Sequence, residues 1–278
     1  MKKAISAWSF AGTDFLANVR LARAAGFEGM EAALDRTGAI RPDSSDEELR
    51  ELGRRAADEG VILHSLACTL CWENSFAADD PGERLRALEI ARSQIHAARA
   101  LGATSVLLVP GSVHTPLRPG VAPVPYGRAF ERSFAAFSEL KEVAEAEGID
   151  IGIENVWNKI FLSPLELRDF VDSLGSPRIG VYFDVGNVLA FGFPEDWIRV
   201  LGRRIKKVHL KDYRSETTGF AGFVDLLAGE VNWPEVMAAL RETGYDGWCT
   251  AEMLPPYRFC PERILHNTSA AMSDIFSL

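Results

Sequence analysis

Short apolar runs alternate with longer amphipathic stretches along the whole 278-residue chain, and the changeover is marked by glycine. The junctions are Ala24-Ala-Gly26, Asp58-Glu-Gly60, Ala100-Leu-Gly102, Ala146-Glu-Gly148, Ser173-Leu-Gly175, Val200-Leu-Gly202 and Glu242-Thr-Gly244, and each leads into a new run. A glycine just past a helix end takes the left-handed conformation at little steric cost and lets the chain turn into a strand. These junctions, with an opening strand over residues 4–9, predict eight strands alternating with helices, hence a parallel sheet. From Tyr126, apolar Phe130, Phe134, Phe137, Leu140, Val143 and Ala144 recur in steps of three and four, one face of a helix. Ser163-Pro-Leu-Glu166 and Ser45-Asp-Glu-Glu48 read as helix starts, with serine as the cap and glutamate three residues on to close a capping box.

No linker or composition break interrupts this alternation, so the expectation is one α/β domain over 1–278, a (β/α)8 TIM barrel; two doubly wound domains are the alternative. Two connections after strands are long. Residues 110–125 hold five prolines around His114 and Arg118, and residues 212–232 hold Arg214, Gly219, Gly222 and Gly229. Both belong over the C-terminal mouth of a barrel, where long loops act as lids or substrate-binding segments.

Four of the apolar runs end on chemistry. They read Ile151-Gly-Ile-Glu154, Val181-Tyr-Phe-Asp184, Ile205-Lys-Lys-Val-His209 and Trp248-Cys-Thr-Ala-Glu252, with spacings of 30, 25 and 43 residues that suit one strand plus one helix. In a parallel barrel the four heads converge at the mouth where catalysis sits. Three carboxylates and an imidazole gathered there repel unless a divalent cation lies among them, and this donor set suits Mn²⁺, Mg²⁺, Co²⁺ or Zn²⁺. Such an ion leaves positions for two substrate oxygens, so a vicinal hydroxy-ketone is a natural guest, its neighbouring C–H acidified and the resulting enediolate stabilised. Glu154 and Glu252, on different strands, are the candidate proton carriers. Singly, each residue has a plainer role: Glu154 paired with Lys159 or Lys211, Asp184 capping the next turn, His209 in the core, Glu252 paired with Arg258. Glu31 and His64, near the ends of the second and third strands, are further candidates for substrate contact or support of the ligands, while His96 and His266 fall in helices.

Composition narrows the partners. A net charge of -9 with a pI near 5.2 argues against a nucleic-acid-binding protein. No apolar stretch approaches membrane-spanning length and no secretory leader is read at the N-terminus, so a cytoplasmic location is expected. Four cysteines do not make a disulfide framework, and Cys68-Thr-Leu-Cys71 lacks the second half of a zinc site.

At Ile153-Glu-Asn155, Phe183-Asp-Val-Gly-Asn187, Val208-His-Leu-Lys-Asp212 and Thr250-Ala-Glu252 the chain resembles the xylose-isomerase-like sugar phosphate isomerase/epimerase superfamily. The likeness is to the branch of D-tagatose 3-epimerase and L-ribulose-5-phosphate 3-epimerase, and it covers nearly the whole sequence. It implies a divalent ion bound by Glu154, Asp184, His209 and Glu252, with the two glutamates as the acid/base pair. It also implies a sugar or sugar-phosphate substrate and a homodimer or homotetramer. The chain departs from the ketose epimerases at three positions. Asn187 stands where they commonly place a substrate-contacting histidine, Ile160 where some have glutamate, and Ser215 where they have arginine, with Arg214 one place earlier. Asn187, Lys211 and Arg214 are therefore expected at the substrate, and Arg214, Lys211 and Arg118 are candidates to meet a phosphate or carboxylate.

The expected activity is metal-dependent epimerisation or isomerisation of a sugar or sugar phosphate through a metal-bound enediolate, with C3 epimerisation of a ketose as its specific form. An aldose–ketose isomerase or an inosose-type dehydratase begins with the same proton abstraction. A DNA-repair endonuclease of the same barrel would need more histidines than the five present. A non-catalytic sugar-binding relative is the remaining alternative.

Overall fold

The alternation closes on itself. The structure, a computed structural model, describes residues 1–217, 219–254 and 257–278. Ten strands are present among them: β1 (Lys2–Ser6), β2 (Gly29–Leu34), β3 (Ile62–Cys68), β4 (Ser105–Leu108), β5 (Asp150–Glu154), β6 (Ile179–Asp184), β7 (Ile205–Leu210), β8 (Asp212–Tyr213), β9 (Phe223–Val224) and β10 (Trp248–Ala251). Eight form a closed parallel barrel in the order β1-β10-β7-β6-β5-β4-β3-β2, while β8 and β9 pair as a small antiparallel hairpin beyond β7. The expected TIM barrel is therefore the observed one. The opening strand differs from expectation: it stops at Ser6, and Ala7–Ser9 form a 3₁₀ turn begun by the Ser6 hydroxyl, which accepts from the Trp8 N–H.

The helices packed outside the barrel are α1 (Phe15–Ala25), α2 (Asp46–Asp58), α3 (Pro81–Leu101), α4 (Tyr126–Glu147), α5 (Pro164–Leu174), the short α6 (Val185–Val188), α7 (Pro194–Leu201), α8 (Trp233–Glu242) and α9 (Arg263–Ser277). All seven junction glycines have positive φ, from 54° at Gly202 to 91° at Gly26. This is the backbone state that makes glycine the favoured residue at the turn. The capping box at α2 forms as read, with Ser45 and Glu48 bonding reciprocally. The one expected at α5 forms only in half. Ser163 caps, but Glu166 accepts instead from the Tyr126 hydroxyl on α4. The phenylalanine stripe of α4 packs edge-on into Phe170 of α5, with ring centroids 5.4–5.9 Å apart for Phe130, Phe134 and Phe137. Such pairs add roughly 0.5–1.5 kcal/mol each beyond their buried area.

Strand periodicity decides what enters the barrel. Side chains two residues apart share a face, so Gly152 and Glu154, Tyr182 and Asp184, Lys207 and His209, and Thr250 and Glu252 stack as rungs of one inner ladder. The register agrees: Asp184 lies level with His209, His209 with Thr250, and Glu154 with Tyr182. Glycine is required at 152, where an added Cβ would come within 2.9 Å of the Tyr182 side chain. The space that it leaves lets the buried Tyr182 ring lie against His209, centroids 4.5 Å apart.

Candidate active site

At the C-terminal mouth, Glu154, Asp184, His209 and Glu252 come together, each buried, with one donor atom from each lying within 4.8 Å of the others. His209 Nδ1 is the hub. It is 3.2 Å from Glu252 Oε2, 3.6 Å from Glu154 Oε1 and 3.7 Å from Asp184 Oδ2. A polyhedron of bonds near 2.1 Å has edges of about 3.0–3.4 Å, so these separations are close to those of ligands sharing one ion. Among the described residues, and apart from the ion pairs to the Lys211 ammonium, Asp184 Oδ2, His209 Nδ1 and Glu252 Oε2 have no well-formed hydrogen bond. Buried polar atoms are rarely left so without a purpose. Three carboxylate oxygens and one imidazole nitrogen converging on one point fit a divalent cation.

Each donor is aimed by a second contact. Asp184 divides its carboxylate: Oδ1 accepts from the Asn187 N–H at 2.8 Å and starts α6, which leaves Oδ2 for the site. Its capping role and its place in the cluster thus coexist. Asn155 clasps the Asp184 backbone, its Oδ1 accepting from Asp184 N and its Nδ2 donating to Asp184 O, both at 2.8 Å. The other imidazole nitrogen, His209 Nε2, lies 3.0 Å from Glu31 Oε1. A carboxylate there favours a hydrogen on Nε2 and turns Nδ1 towards the cluster.

Charge at the site is concentrated and opposed. Burial pushes the Glu154 carboxyl up to about 7, only partly offset by His209 and Lys211. Burial would also raise Glu252, but the ammonium of Lys211, 2.6 Å from its Oε2, holds it well below the usual carboxylate range. Burial alone would lower His209 and Lys211, yet the surrounding carboxylates raise both well above their ordinary values. The cluster favours positive charge at its centre. Lys211 also contacts Asp184 Oδ2 at 3.1 Å, and its ammonium lies 5.2 Å from the centre of the Phe223 ring.

Above the cluster opens a cavity of about 320 Å³ lined by Trp8, Thr69, Trp72, Thr115, Leu117, Glu154, Val156, Trp157, Asn187, Lys211, Phe220, Phe223, Glu252 and Leu254. The long loop after β7 supplies Phe220 and Phe223, and Trp157 stacks on both, at 5.6 and 5.0 Å between centroids. The loop itself is organised by the buried Asp212, which accepts from Tyr213 N, Leu227 N, Val231 N and Trp233 Nε1.

The other residues expected at the substrate are placed as follows. His64 lies deep in the barrel, stacked on Trp248 at the N-terminal end of β10, its Nε2 3.2 Å from Thr250 Oγ1. Glu31 is fully buried below His209 and faces it instead of the mouth. Arg118 is held by Glu83 at 2.7 Å, and exposed Arg214 turns its Nε to the Ala228 carbonyl at 2.7 Å. Asn187 does line the mouth, but its amide nitrogen donates to the Asn155 carbonyl at 3.0 Å. His96 pairs on the surface with Asp46. The aromatic lining, Asn155 and Asp212 escaped the sequence reading as site residues. For Trp157 the sequence carries a signal, since it stands three residues after Glu154 at the end of β5.

A family model described as a xylose isomerase-like TIM barrel matches residues 19–270. L-ribulose-5-phosphate 3-epimerase UlaE of Salmonella paratyphi C is 26% identical over 250 residues, 87% of this chain and 83% of that enzyme. An uncharacterized protein of Methanocaldococcus jannaschii is 30% identical over 181 residues, 61% of this chain but only 58% of the archaeal protein. Among solved structures, that of the IOLI protein with a bound zinc atom has a TM-score of 0.82 at 17% identity, covering 100% of this chain and 98% of that one. At that identity the likeness speaks for the fold. Among the described residues no helix is long and apolar enough to cross a membrane.

Proposed function

The chain belongs to the xylose isomerase-like TIM barrel family, and from that premise we propose that it is a divalent-metal-dependent sugar epimerase whose reaction is inversion at C3 of a ketose. One observation carries the reading. Glu154 and Glu252 reach the same point from β5 and β10, strands separated in the barrel by β6 and β7, with Asp184 and His209 between them. Two carboxyl groups thus flank one spot from opposite sides. The 3-epimerase name of the Salmonella relative supports it, and the zinc atom of the IOLI protein supports a metal in this fold.

Glu154, Asp184, His209 and Glu252 would hold the ion, which supplies Lewis acidity towards a carbonyl and its neighbouring hydroxyl and so acidifies the C–H between them. One glutamate takes the proton from C3. The electron pair left behind moves into a C2–C3 double bond while the carbonyl pair settles on the C2 oxygen, giving an enediolate. The other glutamate, protonated, returns a proton to the opposite face of C3, and the carbonyl re-forms. The reverse reaction exchanges the two roles. Lys211 keeps positive charge beside Asp184 and Glu252, and the aromatic walls limit water around the carbanionic carbon.

The test is exchange in deuterated water with the Mn²⁺-loaded protein and a panel of ketoses. Label at C3 with the carbonyl unmoved is expected, and it is lost in Glu252→Gln. Label at C1 or C2 means aldose–ketose isomerisation, and release of water means dehydration. Absence of exchange with every sugar would sink the enzymatic reading.

A further inference from the structure

We infer that the mouth is built for an uncharged sugar, gripped by aromatic faces above the carboxylate cluster, and that its described residues provide no anchor for a phosphate ester. The inference rests on the sugar-site reading above and goes further by naming the chemical class.

The first support is the lining. Trp8, Trp72, Trp157, Phe220 and Phe223 all border the cavity. The rings are fixed before any ligand arrives: Trp157 Nε1 donates to the Asn187 carbonyl at 3.0 Å, its indole stacks on Phe220 and Phe223, and Tyr213 meets it edge-on at 5.4 Å. A flat C–H face of a pyranose or an extended polyol matches such surfaces, whereas for a phosphate the rings themselves offer at most single neutral indole N–H groups and no charged fork.

The second support is where the cations point. Lys211 is the cation of the lining among the described residues. Its ammonium is already between Asp184 and Glu252, at 3.1 and 2.6 Å. Arg118 is engaged by Glu83 in a largely buried pair and faces the pocket beside α3. Arg214 faces the Ala228 carbonyl on its own hairpin. Anion recognition works through donors preorganised in a fork or at a helix N-terminus. Among the described residues the helix starts in the lining are that of the four-residue α6, already capped by Asp184, and that of the single 3₁₀ turn Leu70–Trp72 behind Thr69, both too short for a helix-end anion site. Beyond Lys211, which Asp184 and Glu252 already engage, the lining offers a phosphate dianion no further cation among the described residues.

The test reads binding apart from turnover. Three tryptophans border the mouth, so their fluorescence reports occupancy. The Mn²⁺-loaded protein is titrated with L-ribulose, D-fructose and D-tagatose, with their terminal phosphate esters, and with inorganic phosphate. Expected is at least tenfold tighter binding of one free sugar than of its ester, no competition by millimolar phosphate, and about fivefold weaker binding of that sugar by Phe220→Ala. Phe220 is 46% exposed, so its truncation leaves the fold intact. An ester that binds better than the free sugar, with phosphate competing, overturns the inference, and so does failure of every sugar to bind. A free sugar that binds without C3 exchange leaves the inference standing and removes the epimerase reading instead.

Discussion

The strand ends and the loops meet at the same cavity but are built by different rules. Glu154, Asp184 and His209 are held by barrel register, and Glu252, one residue past β10, by its N–H to the Leu210 carbonyl. Trp157, Phe220 and Phe223 are held by ring stacking and by a loop that hangs on a single buried carboxylate, Asp212. The first region fixes atoms to within a hydrogen bond, as proton transfer demands. The second offers surface. A substitution among the strand ends should therefore remove chemistry, and one in the loops should change affinity while the chemistry persists.

Asp184 gives the largest break. Asp184→Asn keeps an oxygen for the Asn187 N–H but exchanges the charged Oδ2 for an amide. Expected is a loss of Mn²⁺ affinity of at least about a hundredfold, with C3 exchange abolished and metal-free stability little altered. Asp184→Ala loses the cap as well, about 0.5–2 kcal/mol further. Metal titration beside chemical denaturation of both variants separates the two duties. Equal Mn²⁺ binding by Asp184→Asn and the parent would remove Asp184 from the ligand set.

Glu31 tests whether the layer below the ligands matters to them. Glu31→Gln is isosteric but weakens the pull on the His209 Nε2 hydrogen, and outer carboxylates of this kind contribute about 10–100-fold to metal affinity. Expected is a fall in that range by dye competition, with the sugar's apparent affinity at saturating metal unchanged. An unaltered metal affinity would make Glu31 a packing residue only.

The same contrast explains what was legible in the sequence. Alternation, glycine junctions and strand-end chemistry all follow from local periodicity, so the barrel and its four inward heads could be read directly. His64 and Glu31 show where that reading stops. Residues in one strand share a face every second position, but depth along the barrel depends on stagger between strands, which no single strand records. A register shift between Met30 and Glu31 sets the depth of Glu31, and a second between Val181 and Tyr182 aligns β6 with β7. Loop side chains were less legible still. Arg214 and Arg118 sit in segments expected over the mouth, yet their directions are chosen by Ala228 and Glu83, partners distant in sequence.

Asp212→Asn should show the weaker coupling of the loops. An asparagine supplies one acceptor oxygen where Asp212 uses both of its own, on Leu227 N and Trp233 Nε1 through Oδ2 and on Tyr213 N and Val231 N through Oδ1. Hydrogen bonds to a charged group are worth about 1.5–3 kcal/mol, and the replacement amide N–H₂ meets donors. Expected is a several-fold rise in KM as Phe220 and Phe223 lose their support, with Mn²⁺ affinity within twofold of the parent. A matching fall in metal affinity would mean that loop and strand ends form one unit and that the division between them is wrong.

His64 carries the smallest effect and asks whether the deep end of the barrel bears on stability alone. Burial holds its imidazole well below the ordinary value, with Lys207 adding to the shift, so it stays neutral in the fold. The unfolded chain takes up a proton near the ordinary value of about 6.5. Below that pH the unfolded state binds more protons than the native one, and stability falls as pH drops, by up to about 1.4 kcal/mol per unit from this group. Denaturant midpoints of parent and His64→Gln at pH 7 and pH 5.5 isolate the contribution, since other titrating groups are common to both. The parent should lose about 1 kcal/mol more than the variant over that interval, while Mn²⁺ affinity at pH 7 stays the same in both. Parallel losses would mean that His64 is protonated within the fold, and that the barrel floor accepts charge as the cluster above it does.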